Sequence, residues 1–507
     1  MPRRSLNDPT REYQLDEEDP SETYELSSLL SDDDNKETTS RASASPPIPT
    51  SQIVVILLLY VSSPVSVMLS TPFMVQRIGN LGIAPAEVGY YLGLLDSLSY
   101  AGAREALMVF QWGRLSDKFG RKPILLTCTL GLTSTLIGLG FAGTYSQLAV
   151  LRAFEGLFNG NSGVMKAILA ELAGNDEIQL ARVFSLLPMG WAVGGAIGPP
   201  MGGSLANPAE RFPKVFTASI WKSYPYLLPC LSGVCFRVLG FMGILLYLKE
   251  TLRPSNKTIV RLPSGDDSDE TLLSPSPSST PMKTASRPSS TSLLNRRLIF
   301  VLLNYAFLAF LDSSLYAVWP LLLASPIESG GLGFSPPTIG TLTGIASFCH
   351  GITQAVFFAR ILKRWDAKNV FIASIISYML VYALMPVANV FARRAGRVTP
   401  FVWGLVILVE IFMFASYSAY SCIYIFLSQA APTKAALGKT HGLGQTIASI
   451  VGTMGPAVAT SLVAVSLQYN LLGGAMGYLL LVSVGFVLLS VCSFLVPSRY
   501  GSVSATA

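Results

Sequence analysis

Asp96, Glu105, Arg152, Glu155, Asp312 and Glu410 each fall inside an apolar stretch of about 20 residues, long enough to cross a membrane as a helix. A charge at that depth costs at least a few kcal/mol, so it defaults to a functional reading. Such groups pair with one another, meet an ion or pass a proton. Arg152 stands seven residues in from the start of its stretch and Asp96 ten. At a rise of 1.5 Å per residue their depths agree within about 5 Å. Arg152 is therefore expected to tune a carboxylate, Asp96 or Glu155, that takes up and releases a proton. A static buried ion pair is the alternative. Asp312 and Glu410 lie near the middle of their stretches, where a carboxylate shielded from water could carry a proton. Lys166 and His350 are also intramembrane; a lone histidine there more often satisfies a backbone carbonyl than holds a metal. The first apolar stretch has no ionisable residue in its middle.

A second concentration of chemistry lies between two apolar stretches. Gly113-Arg-Leu-Ser-Asp-Lys-Phe-Gly-Arg-Lys-Pro123 packs four cations, one carboxylate, two glycines and a proline into eleven residues. Gly113 and Gly120 permit close backbone approach and positive φ. Pro123 suits the first turn of a following helix. Asp117 could cap a helix or pair with Arg121, next to Lys122. Farther on, Gly190, Gly194, Gly198 and Gly202 recur at i+4, so they share one helix face and permit close packing. Pro199 and Pro200 interrupt that stretch and are expected to kink or break it, and Gly203 pairs with Gly202. Tyr224, Tyr226, Tyr316, Trp319, Trp403, Tyr417 and Tyr420 could line a pocket for a flat or amphipathic solute, or anchor the chain at the interfaces.

The elements that position these residues follow from composition. Of 507 residues 50% are hydrophobic and 13% charged, with mean hydropathy +0.48. Soluble domains carry about 25% charged residues. Twelve apolar stretches are expected to span, near 51–74, 86–110, 123–143, 146–169, 182–206, 225–248, 297–321, 336–361, 368–391, 400–428, 440–465 and 472–497. The fold class is an all-α membrane protein. Residues 1–50 hold 12 acids against 5 bases and read as a disordered cytoplasmic tail. Residues 253–296 are Ser/Pro/Thr-rich and read as a disordered cytoplasmic linker. That linker divides the stretches six and six, into bundles at 51–252 and 297–497, followed by a short tail at 498–507. A weak repeat supports the division: Gly113–Lys118 aligns with Ala359–Arg364, which has lost the glycine and the carboxylate.

Arg114, Lys118, Arg121 and Lys122, with Arg360, Lys363, Arg364 and Lys368, place both termini in the cytoplasm by the positive-inside rule. No cleavable signal is visible, so the first stretch must direct insertion. The basic excess outside the tail reads as topology, with no nucleic-acid signature beside it. The six cysteines form no metal-type pair and read as packing residues; neither a metal site nor a cofactor is expected. No H-E-x-x-H or G-x-S-x-G constellation points to an enzyme. Glu25, Leu29 and Leu30 match an acidic dileucine sorting pattern, [DE]-x-x-x-L-[LI], for an adaptor at a vacuolar or lysosomal membrane.

The 113–123 stretch resembles the G-x-x-x-D-x-x-G-R-[RK]-x signature of the major facilitator superfamily. Gly190–Gly203 resembles the G-x-x-x-G-P-x-x-G-G signature of its drug–proton antiporters. Arg152–Gly156 resembles R-x-x-Q-G, with Glu155 where glutamine is usual. Gly160–Gly163, Tyr224–Pro229, Lys249–Thr251 and Gly330–Ser335 are similar to a fungal branch related to zinc-induced facilitators and tetracycline exporters. With only His350 and His441 and no cysteine motif, direct zinc transport does not carry over. The resemblance implies two parallel six-helix bundles with the site between them, a loop that latches one state, and proton-coupled export of a small solute by a monomer in a vacuolar or plasma membrane. A facilitator or importer, or a nutrient receptor that has lost transport, are the competing readings.

Overall fold

A computed structural model describes residues 50–100, 102–173, 177–250, 295–431, 437–492 and 494. The sorting pattern at Glu25, Leu29 and Leu30, the tail at 1–49, linker residues 253–294 and the tail at 498–507 lie outside the described residues. Every regular element described is helical. The first half holds α1 (Thr50–Leu69), α2 (Thr71–Asn80), α3 (Val88–Tyr100), α4 (Gly102–Phe119), α5 (Arg121–Phe141), α6 (Tyr145–Phe158), α7 (Asn161–Ala173), α8 (Glu177–Leu205), the short α9 (Pro208–Arg211) and α10 (Ser219–Ser223), and α11 (Leu227–Tyr247). The second holds α12 (Arg296–Ala324), α13 (Pro336–Arg364), α14 (Ala367–Ala395), α15 (Pro400–Ser416), α16 (Ser418–Ala430), α17 (Leu437–Gln468), a 3₁₀ turn at Leu471–Gly474 and α18 (Met476–Cys492).

Among the described residues each of the twelve expected stretches is largely helical, and 8 helical runs are by themselves long and apolar enough to cross a membrane. Two of the others, 86–110 and 146–169, are the stretches that carry Asp96, Glu105, Arg152 and Glu155. The ends are set by local chemistry. Thr144 and Gln147 form a reciprocal capping box at α6. Asn295 Oδ1 accepts from the Leu298 N–H at 2.6 Å and starts α12. The first span is longer than expected, since helix resumes at Thr71-Pro72 and runs to Asn80.

Each half has its own core. Tyr305, Phe371, Tyr378, Tyr382 and Met385 anchor one built from 298–492; Phe73, Ile78, Leu95 and Leu148 anchor another in the first half, joined by Leu321. Within the first half the i+4 glycines of α8 pack on α1: Gly190 faces Tyr60, Gly194 faces Pro64, Gly198 faces the Val65 carbonyl and Gly202 the Leu69 carbonyl. A methyl at any of them would collide, so this face sets the distance between α1 and α8. α8 continues as helix through Pro199 and Pro200, so of the expected kink or break the break does not occur. A transmembrane helix tolerates proline because neighbouring groups meet the freed backbone. Here the Pro200 ring seats against Gly344 and the Pro199 carbonyl against Gly340, both on α13.

The halves meet along α8–α13 and α3–α17. Gly203 abuts the Pro336 backbone, Gly93 abuts Thr460 and Pro456, and the Ala457 N–H donates to Ser97 Oγ at 3.1 Å. Two arginines serve the backbone: Arg211 donates to the Ser204 carbonyl and Arg393 to the Ile327 and Glu328 carbonyls.

Candidate functional site

A cavity of about 210 Å³ is walled by α1, α2, α3, α6, α7, α8 and α12. Asp96, Arg152 and Glu155, placed at similar depths by the sequence, all line it. Ser63, Pro64 and Val67 on α1 are within the same wall, which the glycine face of α8 holds in place. Arg152 is 5% exposed. One of its nitrogens donates to Glu155 Oε2 at 2.9 Å and another to Ser70 Oγ at 2.8 Å. Removing one partner of such a buried pair typically costs about 3–5 kcal/mol. Asp96 differs: it makes no hydrogen bond or ion pair among the described residues and faces the cavity. Of the aromatic candidates, Tyr316 lines the cavity, joined by Tyr60 and Trp191, which sequence reasoning missed.

The other expected aromatics are elsewhere. Trp403 stacks on Phe334 with centroids 4.7 Å apart, Tyr226 stacks on Phe73 at 5.0 Å, and Tyr224 meets Phe141 edge-on. His350 packs on Tyr417 with centroids 4.3 Å apart, and its Nε2 is buried without a hydrogen bond, so the expected bond to a carbonyl is not made through that atom. The side chain of Glu105 lies outside the described residues.

In the second half the buried acids are held by neutral donors. Asp312 accepts from the Tyr378 hydroxyl at 2.8 Å through one oxygen and from the Tyr420 hydroxyl at 3.0 Å through the other. Glu410 accepts from the Trp319 indole N–H at 3.1 Å. Neither lines the cavity.

The 113–123 stretch is more helical than expected. α4 runs through Gly113 to Phe119, and a single residue, Gly120, joins it to α5. Gly120 has φ 104 and ψ 153, a conformation essentially restricted to glycine. Gly113 has negative φ, and nothing stands within 4 Å of where its Cβ would be, so no close approach explains it. Asp117 pairs with Arg121 at 2.7 Å, and Arg121 also reaches Glu171 at 2.8 Å. The α5 N-terminus is capped instead by Glu250, whose two oxygens accept from the Arg121 and Lys122 N–H groups at 2.9 and 3.1 Å. A short acid-and-base knot thus ties the turn to α7 and to the end of α11.

Two buried cations escaped the sequence reading. Arg77 donates to the Ala142 carbonyl at 2.6 Å and lies over the Tyr226 ring. Arg237 sits at the middle of α11 and is 2% exposed. An arginine at the centre of a 21-residue apolar run was the available signal for the second.

Long apolar helices packed around a charged cavity are the architecture of a membrane transporter. The chain belongs to the major facilitator superfamily, whose family model matches residues 56–456. It is similar to the major facilitator-type transporter psiT2 of Psilocybe cyanescens, 27% identical over 82% of this chain and 84% of that one. It is also similar to the efflux pump azaK of Aspergillus niger (26%, 80% of each chain) and to ZINC INDUCED FACILITATOR 1 of Arabidopsis thaliana (28%, 79% and 81%). The crystal structure of a D-xylose–proton symporter superposes with a TM-score of 0.64 at 13% identity, over 89% of this chain and 98% of that one, and shares the fold.

Proposed function

We propose that this transporter exports a small organic solute in exchange for protons, with Asp96 as the proton carrier. The observation that carries the reading is Asp96 itself: a carboxylate inside the membrane, facing the cavity, with no partner among the described residues, beside an arginine already engaged by Glu155. A group in that position can meet solute and proton in turn. Solute binding near Arg152 and Asp96 would compete with protonation, which is the coupling an antiporter needs. Tyr60, Trp191 and Tyr316 give the cavity flat apolar walls suited to an organic solute. Export is favoured by the α8 glycine–proline face and by the similarity to an efflux pump.

In this reading the chain works as a monomer in a vacuolar or plasma membrane, with both termini and the 253–296 linker in the cytoplasm. The linker separates the bundles at 51–252 and 297–497, and the knot around Gly120, Asp117, Arg121 and Lys122 steadies the end that opens. Asp312 and Glu410 keep their bundle folded.

The test is flux in sealed vesicles of purified protein under an imposed pH gradient, with a panel of organic cations, weak acids and chelates. Gradient-dependent flux that is lost in Asp96→Asn supports the reading. Flux indifferent to the gradient makes the protein a facilitator, and solute binding without flux makes it a receptor.

A further inference from the structure

We propose that the excursion between α8 and α11, residues 207–224, is an interfacial anchor. It seats Phe212, Val215 and Ile220 at the acyl boundary of the bilayer and sets Lys214 and Lys222 on phospholipid phosphates. This role does not depend on the solute or on proton coupling.

The excursion is a built element. The Asn207 N–H donates to the Pro225 carbonyl at 3.0 Å, which closes its neck between the end of α8 and the start of α11. Asn207 turns the chain out of α8 with φ 53. Inside, the Phe216 N–H donates to the Phe212 carbonyl at 3.0 Å and the Tyr224 N–H to the Ile220 carbonyl at 2.9 Å. The Phe216 ring ties the two short helices together, with its centroid 6.4 Å from that of Phe212 and 5.2 Å, edge-on, from that of Trp221.

This ordered element nevertheless turns apolar side chains away from the protein. Val215 is 73% exposed, Phe212 46% and Ile220 43%. Water alone would favour the opposite arrangement. The place of the excursion says what covers them. It leaves Leu205 and returns at Leu227, the ends of two expected spans, so it starts and finishes where hydrocarbon gives way to headgroups. Tryptophan, with an apolar body and a polar edge, suits that level.

Charge points to the same cover. Within 207–224, Arg211, Lys214 and Lys222 stand against Glu210 alone. Arg211 is engaged by the Ser204 carbonyl, whereas Lys214 and Lys222 are exposed. With both termini in the cytoplasm, as proposed above, these lysines lie on the far side, where the positive-inside rule calls for no cations. Phosphate oxygens supply their partner there, and the lysine stem lets an ammonium sit above buried methylenes. Lys214-Val215 and Trp221-Lys222 each set a cation beside an apolar group. That suits a boundary between hydrocarbon and phosphate better than a protein partner, whose contact surfaces are depleted of lysine.

Trp221 reports the depth. Full-length protein is reconstituted in phosphatidylcholine vesicles whose acyl chains carry bromine either near the headgroup or near the terminal methyl. The emission of Trp221 is read as the difference between wild type and Trp221→Phe. The expected result is quenching by shallow bromine, weaker quenching by deep bromine and little by aqueous acrylamide. Lys214→Glu with Lys222→Glu opposes the phosphates; read against its own Trp221→Phe partner, it is expected to lose the lipid quenching and admit acrylamide. Lys214→Arg with Lys222→Arg keeps the wild-type pattern. The inference is overturned if acrylamide quenches Trp221 and shallow bromine does not, as for a loop standing in water. It is equally overturned if neither quencher reaches Trp221, as within a contact between protein chains, or if the charge-reversed pair is quenched like wild type. Should that pair fail to fold, Lys214→Gln with Lys222→Gln takes its place: weaker lipid quenching supports the anchor, and wild-type quenching refutes the phosphate contacts.

Discussion

In the first half, Glu155 is held by a guanidinium 2.9 Å away while Asp96 looks into a cavity without a partner among the described residues; in the second, Asp312 is held by two tyrosine hydroxyls and Glu410 by an indole. All four are acids set within apolar helices, and from sequence they look alike. The difference is what each would lose on changing charge. The neutral donors on Asp312 and Glu410 satisfy each carboxyl in place and isolate it from the cavity. An engaged arginine beside a free carboxylate leaves one group ready to change state. On this division chemistry is concentrated in the first half, and the second serves as its fixed counterpart.

The sharpest way to break this comparison is to neutralise one acid from each half. Asp96→Asn is expected to lower gradient-driven flux by about a hundredfold, the scale at which a positioned proton-transfer group matters. Asp312→Asn should retain most of the flux, because an amide carbonyl still accepts from one tyrosine and its N–H₂ can donate to the other. Comparable losses in vesicle flux from both variants would show that the second half also titrates.

Removing hydrogen-bonding capacity should reverse the order. Asp312→Leu leaves the hydroxyls of Tyr378 and Tyr420 without their acceptor, at about 1–3 kcal/mol for each group left unsatisfied. Glu410→Leu strands a single indole N–H, and about half that loss is expected. Thermal unfolding in detergent reads both, with Asp312→Leu the less stable. A wild-type melting curve for Asp312→Leu would remove the structural role assigned to the tyrosine pair.

How much of this was legible in the sequence follows from what helix geometry fixes. Rise per residue is constant, so the positions of Asp96 and Arg152 along their own helices are enough to put them at one depth, and they do share a cavity. The i+4 glycines of α8 are likewise a one-helix pattern, and they do line the face toward α1. Azimuth among a dozen helices is set by tertiary packing, and no single-helix pattern reports it. That is why Tyr60 and Trp191 were missed, and why Trp319 and Tyr420 proved to be partners of Glu410 and Asp312 rather than walls of a pocket. Arg237 was visible as a charge in an apolar run, but the helices packed around it were not, since its flanking glycines meet Ser66 and Leu59 of α1 and Leu136 of α5.

The smallest expected effects concern the turn that the two halves share by descent of pattern but not by conformation. In the first half Gly120 links α4 to α5 at φ 104, and a Cβ there would stand 2.7 Å from Glu250 Oε2. In the second half the corresponding link, Trp365-Asp366 between α13 and α14, uses extended backbone at φ −125 and −60. Extended backbone needs no glycine, which accounts physically for its loss from the second copy. Gly120→Ala is therefore expected to cost about 1–3 kcal/mol, because it forces a side chain into a glycine-only conformation and disturbs the cap on α5. Gly113→Ala, in open space within α4, should be neutral or stabilising by up to about 1 kcal/mol. Melting temperatures of the two variants measure the contrast. Equal destabilisation would remove the contrast and make the whole 113–123 stretch, rather than Gly120 alone, the conformationally restricted element.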